Sequence, residues 1–481
     1  IRRPGPVPAG AVRMSGIFCG IGVCFGCLDT VDGEPNQRTC LVPARTETTS
    51  VAGHHDVAVV GAGPAGLAAA ATAIRAGLDV VLLDSSPGPG GQYWRHRAGE
   101  PGPRAFRRLW STVEDAYRPD TPVWFVEPGF RLHTPRGTVT ADRLVLATGA
   151  YDRTLPFPGW DRPGVFTAGG AQAQLKGAGV RVGTRVVVAG AGPFLLPVAA
   201  GLAKAGARVV GVYEAGNPLG YLTRAGIAAR KAPEAAWYAV RLARHRVPYH
   251  PGHAIVAAHG DPVSTVEAMR LDGTGRTKTV DCDALAVGWG FTPQLELPLA
   301  LGCQTRLDTD GSLVVTVDAT GQTSVPGVYA AGEVTGIGGA ALAVAEGHLV
   351  GAALANQPPP RTLLSRRATL RRFATVMHTV HAPPGGWPEW LTGDTVVCRC
   401  ERVPYSRIVD AVEELGATDG RTVKLFARPG MGWCQGRVCG FATAVLAARL
   451  SGRDVTAADV GAFAHRPLAQ PVTLGQLAGG R

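Results

Sequence analysis

The sequence predicts an α/β protein with two Rossmann-like dinucleotide-binding domains, one inserted in the other, between two small cysteine-containing segments. Two observations lead to this fold class. A glycine-rich turn follows a short apolar run at residues 61–66 and again at 190–195, and each time an acidic residue ends the next apolar run. All of the ten cysteines except Cys282 and Cys303 fall into two groups of four, within residues 19–40 and 398–439. The second group predicts a small C-terminal cysteine domain.

The first glycine-rich turn, with Gly61, Gly63 and Gly66, has the spacing of a dinucleotide site. The first glycine permits the tight turn, the second lets a pyrophosphate approach the helix N-terminus, and the third lets helix and strand pack closely. Asp84 ends the next apolar run, 18 residues after Gly66, where a carboxylate binds the ribose of the adenosine half. A glycine motif flanked by both strands, a helix and this acid is more specific than the motif alone. We therefore predict a bound dinucleotide rather than a structural turn.

Three further segments indicate which dinucleotide binds. They are residues 90–92 after the second predicted strand, residues 147–149 at the end of a later apolar run, and residues 329–333 far downstream. Together they resemble the set in two-dinucleotide-domain flavoproteins, where segments from both ends of a split domain hold FAD. The resemblance implies FAD bound additionally by Gly91, Gln92, Thr148, Gly149, Gly332 and Glu333.

The second glycine-rich turn repeats the fingerprint with one departure. Gly190 and Gly192 are present, but Leu195 stands where the third glycine belongs. A helix must then stand further from its strand, although the phosphate approach stays open. Glu214 ends the following strand and suits an unphosphorylated ribose, which favours NAD over NADP. The sequence is compatible with an adenine nucleotide here, NAD or ATP, and also with a degenerate structural domain.

The N-terminal cysteines have the spacing Cys19-x4-Cys24-x2-Cys27-x12-Cys40 on a glycine-rich stretch. This is the plant-type [2Fe–2S] ferredoxin spacing. Zinc is the alternative, but it prefers two C-x2-C pairs and one is present here. Only 18 residues precede Cys19, whereas a plant-type domain builds two strands and a helix before its cysteine loop. We expect the segment to be partial, with its N-terminal end missing from the sequence, and a cluster to form if the domain is complete.

The C-terminal cysteines have the spacing Cys398-x-Cys400-x33-Cys434-x4-Cys439. A predicted amphipathic helix around residues 408–415 joins the two pairs and brings four thiolates together. Zinc fits the number of ligands equally well, but the spacing resembles the small helical [2Fe–2S] domain of the bacterioferritin-associated ferredoxin type. We expect Arg399, Arg402 and Arg437 to offset negative charge on a reduced cluster.

These segments predict the following division of the chain: a ferredoxin-like segment at 1–50, the first part of the FAD domain at 54–160, the inserted nucleotide domain at 161–283, the second part of the FAD domain at 284–355, a linker at 356–395, the C-terminal cysteine domain at 396–460, and a tail at 461–481.

The net charge of +11 raises the possibility of nucleic-acid binding. The arginines are scattered, however, without an aromatic-interleaved stripe, so we predict an electropositive face for anionic cofactors or acidic partners and no nucleic acid. Residues 57–74 carry no charge, but the glycines and proline of the turn argue against a membrane span. No secretory leader opens the chain, which predicts a cytoplasmic location.

The order of these parts resembles a fusion of the small ferredoxin-like and large flavoprotein subunits of the hydrogen cyanide synthase, opine oxidase and hydroxyproline dehydrogenase family. The turn with Leu195, Leu196 and Pro197 belongs to that resemblance, which covers nearly the whole chain. It implies an oxidoreductase subunit that carries electrons through FAD and its clusters to an acceptor. A partner flavoprotein related to glycine and D-amino-acid oxidases would oxidise the C–N bond, and we accordingly predict no catalytic residue in this chain.

Two other functions stay open. One is a stand-alone NAD(P)H-dependent ferredoxin or disulfide reductase, against which Leu195 and the lack of a C-x-x-C pair at Cys282 and Cys303 argue. The other is a non-enzymatic assembly protein with vestigial nucleotide folds, which a preparation without flavin or iron would favour.

Overall fold

A computed structural model describes residues 18–20, 23–24, 26–31, 34–38, 51–224, 226, 231–472 and 474–477. The strands in these ranges are β1 Leu28–Val31, β2 Glu34–Arg38, β3 Gly53–Val60, β4 Val80–Leu83, β5 Tyr117–Arg118, β6 Phe125–Glu127, β7 Arg131–Thr134, β8 Gly137–Leu146, β9 Ala150–Asp152, β10 Val165–Thr167, β11 Arg185–Gly190, β12 Arg208–Glu214, β13 Tyr249–Pro251, β14 His253–Gly260, β15 Val263–Arg270, β16 Thr277–Asp281, β17 Ala284–Gly288, β18 Phe291–Pro293, β19 Thr305–Leu307, β20 Leu313–Val315, β21 Val328–Ala330, β22 Val396–Cys398 and β23 Val403–Pro404.

The helices in the same ranges are α1 Pro64–Arg75, α2 Arg104–Val113, α3 Ala168–Ala173, α4 Leu195–Lys204, α5 Ala232–Arg244, α6 Glu296–Ala300, α7 Ala340–Leu354, α8 Arg361–Val380, α9 Tyr405–Glu413, α10 Gly420–Ala427, α11 Gly440–Leu450, α12 Ala457–Ala464 and α13 Leu474–Leu477.

The first nucleotide domain is built on a sheet of strand order β5-β4-β3-β8-β7-β6, and β21 pairs with β8. The pairs β3–β4, β3–β8 and β8–β21 are parallel. Their inward residues are almost continuously valine, leucine and alanine, as expected for strands buried on both faces. The carboxyl ends of four strands therefore meet at one edge of the sheet, although β21 is far from the others in sequence.

The second nucleotide domain is built on a parallel sheet of order β10-β17-β11-β12-β13. The chain enters it after β9 and leaves it before β18, and these two strands pair with each other, Phe291 opposite Asp152. The second domain is thus inserted into the first, which confirms the predicted α/β fold with two Rossmann-like domains. An antiparallel sheet, β14-β15-β16, accompanies the inserted domain.

Helices α1 and α7 pack closely because both present alanine and glycine to each other. A Cβ atom at Gly347 of α7 would overlap the carbonyl oxygen of Ala65, and one at Gly351 would meet Thr72 at 2.5 Å. Small side chains let the two helix backbones approach. This contact holds α7 against α1, the helix that follows the first glycine-rich turn. Helix α7 itself comes from the second part of the split domain.

Half of the predicted linker at 356–395 is the 20-residue helix α8. Its proline-rich start at residues 358–360 suggested a linker, but the helix that follows packs along α7. After it, β22, β23 and helices α9–α12 form the C-terminal cysteine domain. The residues Cys398, Cys434 and Cys439 share one apolar core with Phe18, Cys19 and Cys24 of the N-terminal loop and with the second nucleotide domain.

Candidate functional site

The first candidate site lies at the carboxyl edge of the first sheet. Val60 is paired with Leu83 and with Leu146, and Leu146 with Ala330. The residues that follow these strands, Gly61, Asp84, Thr148 and Gly332, are therefore gathered at one edge. Ligands of open parallel sheets bind at this edge, so the topology brings together segments that are distant in sequence.

The glycines of this site leave room for a ligand on one side and for close backbone packing on the other. A Cβ atom at Gly66 would overlap the carbonyl oxygen of Gly61, whereas one at Gly63 would meet nothing within 4 Å. A Cβ atom at Gly91 would lie 2.8 Å from the Cα of Gly63. The 90–92 turn therefore closes against the glycine-rich turn and leaves Gly63 open to the cavity.

The Asp84 carboxylate is buried and accepts hydrogen bonds from the backbone N–H of Ala62 at 2.5 Å and of Ser86 at 2.7 Å. Burial raises the pKa of Asp84, and these two N–H groups oppose the shift. The acid therefore fastens the end of β4 to the glycine-rich turn, in addition to any contact with a ribose.

Glu333 is held at the start of α7. Its carboxylate accepts from the backbone N–H groups of Gly338 at 3.2 Å and Gly339 at 3.0 Å. Burial raises the pKa of Glu333 to about 7. The residue predicted to contact the flavin nucleotide thus also shapes the 333–339 turn before α7.

A buried charge network beside this turn had no signal in the sequence. Arg371 of α8 donates to Glu346 of α7 at 2.6 Å and to the carbonyl oxygen of Gly336 at 2.8 Å. Glu346 in turn accepts from the backbone N–H of Gly332 at 3.0 Å. Arg371 therefore fixes the position of Gly332 through one intermediate side chain.

The second candidate site is built at the ends of β11, β12 and β17, where Gly190 pairs with Glu214 and with Gly288. Both carboxylate oxygens of Glu214 lie 3.1 Å from the backbone N of Gly192. Glu214 is 1% exposed. The Gly192 N–H therefore donates to Glu214, whereas in a typical dinucleotide-binding turn it would be available to an approaching phosphate.

Leu195 changes the start of the second helix. Helix α1 begins at Pro64, directly after the second glycine, whereas α4 begins at Leu195. The backbone N–H of Leu195 bonds to the oxygen of Gly192 at 3.2 Å, and the Leu195 side chain is buried. Because these N–H groups are used within the turn, the second site offers fewer donors to a phosphate than the first.

One cavity of about 1710 Å³ connects the two sites. Most of the predicted FAD-binding residues line it, namely Gly61, Gly63, Asp84, Gly91, Gln92, Thr148, Gly149, Gly332 and Glu333. Gly192 lines the other end of the cavity. Three predicted site residues do not line it: Gly66, Gly190 and Glu214. The cavity also has aromatic and ionisable residues that the sequence did not indicate: Tyr151, Asp152, Tyr221, Trp289, Phe373, His378 and His381.

The N-terminal cysteines form a compact loop. The Cys19 sulfur accepts from the backbone N–H groups of Val23 and Cys24, both at 3.3 Å, and the Cys24 sulfur accepts from that of Gly26 at 3.4 Å. Cys27 is buried. Backbone N–H groups directed at cysteine sulfurs stabilise the charge of an iron–sulfur cluster, so these three residues fit one. Cys40 lies outside the described residues.

The C-terminal cysteines are linked by pairwise contacts between their sulfur atoms. The sulfur atoms of Cys398 and Cys400 are 3.8 Å apart, and those of Cys400 and Cys434 are 3.7 Å apart. The Cys439 thiol is hydrogen-bonded to the side chain of Cys398. Hydrogen bonds from Cys400 and Cys439 lower the pKa of Cys398. Four neighbouring cysteines are, on ligand chemistry, suited to either a [2Fe–2S] cluster or zinc.

Of the three arginines expected near these thiolates, Arg437 contacts the group. Arg437 donates to the carbonyl oxygen of Cys434 at 3.2 Å and pairs with Glu296 at 2.8 Å. Arg399 is also buried, but its guanidinium lies against the Phe18 ring of the N-terminal loop. Arg402 instead forms an ion pair with Asp161 at 2.5 Å, and its side chain is 66% exposed. Its left-handed backbone, with φ 54°, accompanies this outward position.

Across the parts of the chain that the structure describes, every helix is too short or too polar to cross a membrane.

Comparison with known proteins identifies the family. The profile described as pyridine nucleotide-disulphide oxidoreductase matches residues 55–347, and the profile described as 2Fe-2S iron-sulfur cluster binding domain matches residues 9–55. The first match implies FAD binding and the second implies a [2Fe–2S] cluster. Together they confirm the predicted flavin-dependent oxidoreductase class.

Several curated proteins are similar over most of the chain. The A subunit of opine oxidase from Agrobacterium tumefaciens is 32% identical, with 89% of this chain and 92% of the relative covered. The HcnB subunit of hydrogen cyanide synthase from Pseudomonas aeruginosa is 33% identical, with 79% and 90% covered. The alpha subunit of sarcosine oxidase from a Corynebacterium species is 30% identical, with 70% of this chain but 35% of that longer protein covered.

A solved structure supports the fold. L-proline dehydrogenase from P. horikoshii superposes with a TM-score of 0.65 at 22% identity, covering 89% of this chain and 80% of the other. These comparisons confirm the resemblance inferred from the motifs. The chain belongs to the pyridine nucleotide-disulphide oxidoreductase family and, within it, to the group of flavoprotein subunits represented by HcnB of hydrogen cyanide synthase and its counterpart in opine oxidase.

Proposed function

We propose that this chain is the FAD- and iron–sulfur-containing electron-transfer subunit of a heteromeric amino-acid or amine dehydrogenase. The observation that carries the proposal is the lining of the cavity. Val23 of the N-terminal cysteine loop and Arg437 beside Cys434 both reach the cavity that Gly61 and Gly63 line. A residue next to each cysteine group therefore borders the cavity that contains the predicted flavin site, which supports electron transfer between them.

The FAD would be held by the residues named for the first site, with Gly63 open to the pyrophosphate and Asp84 at the ribose. Its chemistry is the acceptance of two electrons and their release one at a time. The protein's part is to hold and orient: Glu333 and Glu346 fix the turns at residues 332–339, and Arg371 fixes Glu346.

The cysteines Cys19, Cys24, Cys27 and Cys40 would hold one [2Fe–2S] cluster, and Cys398, Cys400, Cys434 and Cys439 a second. Such clusters carry single electrons. Backbone N–H groups directed at Cys19, Cys24 and Cys398 support charged sulfurs. For the C-terminal group the spacing resemblance favours [2Fe–2S] over zinc.

The second site would hold an adenine nucleotide, NAD or ATP, without hydride exchange. Glu214 occupies the Gly192 N–H, and Leu195 delays the start of α4. These features disfavour the alternative of an NAD(P)H-dependent reductase. Cys303 lies beside Thr323 at 3.6 Å and is separate from Cys282, so the two do not form a redox dithiol.

The oxidised substrate would bind to a partner flavoprotein of the glycine-oxidase and D-amino-acid-oxidase type. Support comes from the relatives, whose names make them subunits of opine oxidase, hydrogen cyanide synthase and sarcosine oxidase. The substrate class would be a secondary or primary amine adjacent to a carboxylate, such as hydroxyproline, proline, an opine, glycine or sarcosine.

An anaerobic titration tests the proposal. The chain is purified alone and together with its partner flavoprotein, and visible and low-temperature EPR spectra are recorded after addition of candidate amino acids or NADH. We expect flavin bleaching and a reduced [2Fe–2S] signal with an amino acid only when the partner is present, and no reduction by NADH. Reduction of the isolated chain by NADH would establish the reductase instead.

A further inference from the structure

Arg399 lies between Cys398 and Cys400 in sequence, yet its side chain extends away from them toward the N-terminal loop. Its guanidinium carbon is 4.5 Å from the centre of the Phe18 ring. The next residue after Phe18 is Cys19. Arg399 is 8% exposed, so its charge sits in a poorly solvated region between the two cysteine groups.

The contact between the groups is a continuous packed structure. The Phe18 ring packs edge-on against Trp160 at 5.5 Å, and the Trp160 indole N–H donates to the carbonyl oxygen of Val396 at 2.5 Å. Val396 begins the strand that ends at Cys398. Phe18, Cys19, Cys24, Cys398 and Cys434 belong to the same apolar core. Arg399 is therefore buried where the two cysteine groups share one core.

The electrostatics point the same way. Burial lowers the pKa of Arg399, and the neighbouring Cys24, Asp161 and Cys19 oppose that shift. The Asp161 backbone oxygen lies 3.5 Å from Arg399, while the Asp161 carboxylate is paired with Arg402. The N-terminal cysteine loop thus lies beside an arginine that the sequence assigns to the other cysteine group.

We propose that Arg399 is a positioning residue shared by the two cysteine groups, and that its positive charge favours reduction at both and couples their reduction potentials. The inference rests on the proposed function, because it takes both groups to hold [2Fe–2S] clusters. Reduction adds one electron to a cluster, with no bond formed or broken, so the cluster becomes more negative by one charge. A buried cation that lies between Cys398 and Cys400 in sequence and packs against Phe18, next to Cys19, stabilises that added charge at either group.

The test is a redox titration of the isolated, cluster-loaded chain with dithionite, followed by EPR. In Arg399→Gln we expect both midpoint potentials to become more negative. We expect the reduced-to-oxidised ratio at a fixed potential to fall about tenfold, which is 59 mV for one electron. Arg399→Lys keeps the charge but not the planar contact with Phe18, and should retain most of the wild-type potentials. A Cys24→Ser background removes the N-terminal signal and assigns the two potentials.

Two arginines serve as matched controls. Arg437 contacts the C-terminal group at Cys434, so Arg437→Gln should shift only that potential. Arg407 is exposed on α9, so Arg407→Gln should shift neither. A shift of one potential or none in Arg399→Gln, with iron content unchanged, would overturn the shared role. If Arg399→Gln loses iron, Arg399→Lys provides the test instead. A large shift of both midpoint potentials in Arg399→Lys, despite the retained charge, would contradict an electrostatic effect.

The titration uses a chemical reductant and no partner, so it separates this inference from the proposed function. A chain that shows both potentials and their common shift, but is not reduced by amine substrate and partner, would retain the Arg399 coupling and lose the dehydrogenase assignment. A wild-type chain that holds one cluster or none would overturn both.

Discussion

The Nδ1 atom of His381 lies 3.2 Å from Oε1 of Glu214, across 167 residues of sequence. His381 caps the end of α8, the helix that also carries Arg371 to the flavin site. One helix therefore contributes to both nucleotide sites, and Glu214 is held between His381 and the glycine-rich turn.

We expect Glu214→Gln to weaken adenine-nucleotide binding at the second site and to destabilise the inserted domain. The amide has one acceptor oxygen and no charge, so bonds to the N–H groups of Gly192 and Gly216 are weakened or lost. The cost should be about 2 kcal/mol in unfolding free energy, and the Kd for ATP or NAD should rise about tenfold. Calorimetric binding and thermal melting measure these effects. Asp281→Asn, an exposed carboxylate of β16 outside the cavity lining, is the control; an unchanged Kd in Glu214→Gln would show that this carboxylate does not shape the nucleotide site.

Glu333 predicts a pH dependence of stability. The folded-state pKa of Glu333 is raised by burial from 4.5 to about 7. Between these values the folded chain binds more protons than the unfolded chain, so the Glu333 contribution is fully present below pH 4.5 and is lost as the pH rises through about 7. The loss should approach about 3 kcal/mol. Thermal melting of the flavin-free protein from pH 5 to 8 should show this decline in wild type and a smaller one in Glu333→Gln; equal slopes would contradict it.

We expect Arg371→Leu to reduce flavin retention. Removing the guanidinium leaves the Glu346 carboxylate buried without its ion-pair partner, which costs about 3 kcal/mol when one member of a buried pair is lost. The Gly332 turn should loosen because its N–H depends on Glu346. Flavin absorbance after gel filtration measures the effect. Arg372→Leu, the adjacent and exposed residue of the same helix, should retain flavin, and similar losses in both variants would mean that helix charge in general is responsible.

Substituting one cysteine of either group should lower the iron content of the protein. We expect Cys24→Ser and Cys400→Ser each to remove about half of the bound iron, because each deletes a ligand of one cluster. Cys303→Ser should leave iron unchanged, since Cys303 bonds to Thr323 in a separate core. Iron and zinc are quantified by mass spectrometry. If the wild-type protein holds zinc and only Cys400→Ser loses that zinc, the C-terminal group binds zinc and not iron.

The sequence predicted the parts of the site that local patterns encode. Gly61, Gly63 and Asp84 are recognisable because a turn, a helix and two strands follow each other within 30 residues. Gly332 was recognisable only by resemblance, since β21 joins β8 from far downstream. The close packing at Gly66 follows from its spacing alone.

Arg371, Glu346 and His381 carried no such signal. Each acts through a contact between α8 and a distant element, and an arginine on a basic helix after a proline-rich stretch has no pattern that distinguishes it from a solvated residue. The same limit explains Arg402, whose proximity to two cysteines in sequence suggested a contact with thiolates. Its left-handed backbone directs the side chain to Asp161 instead.

Cys400 is partly exposed, whereas the other three cysteines of the group, Cys398, Cys434 and Cys439, are buried. The Cys400 sulfur packs against Gly432, where a Cβ atom would lie only 2.6 Å from it. The C-terminal group therefore has one side open to the surface. The opening shortens the path along which an electron tunnels to an acceptor. Dioxygen approaches from the same side, so we expect oxidative damage to begin at Cys400.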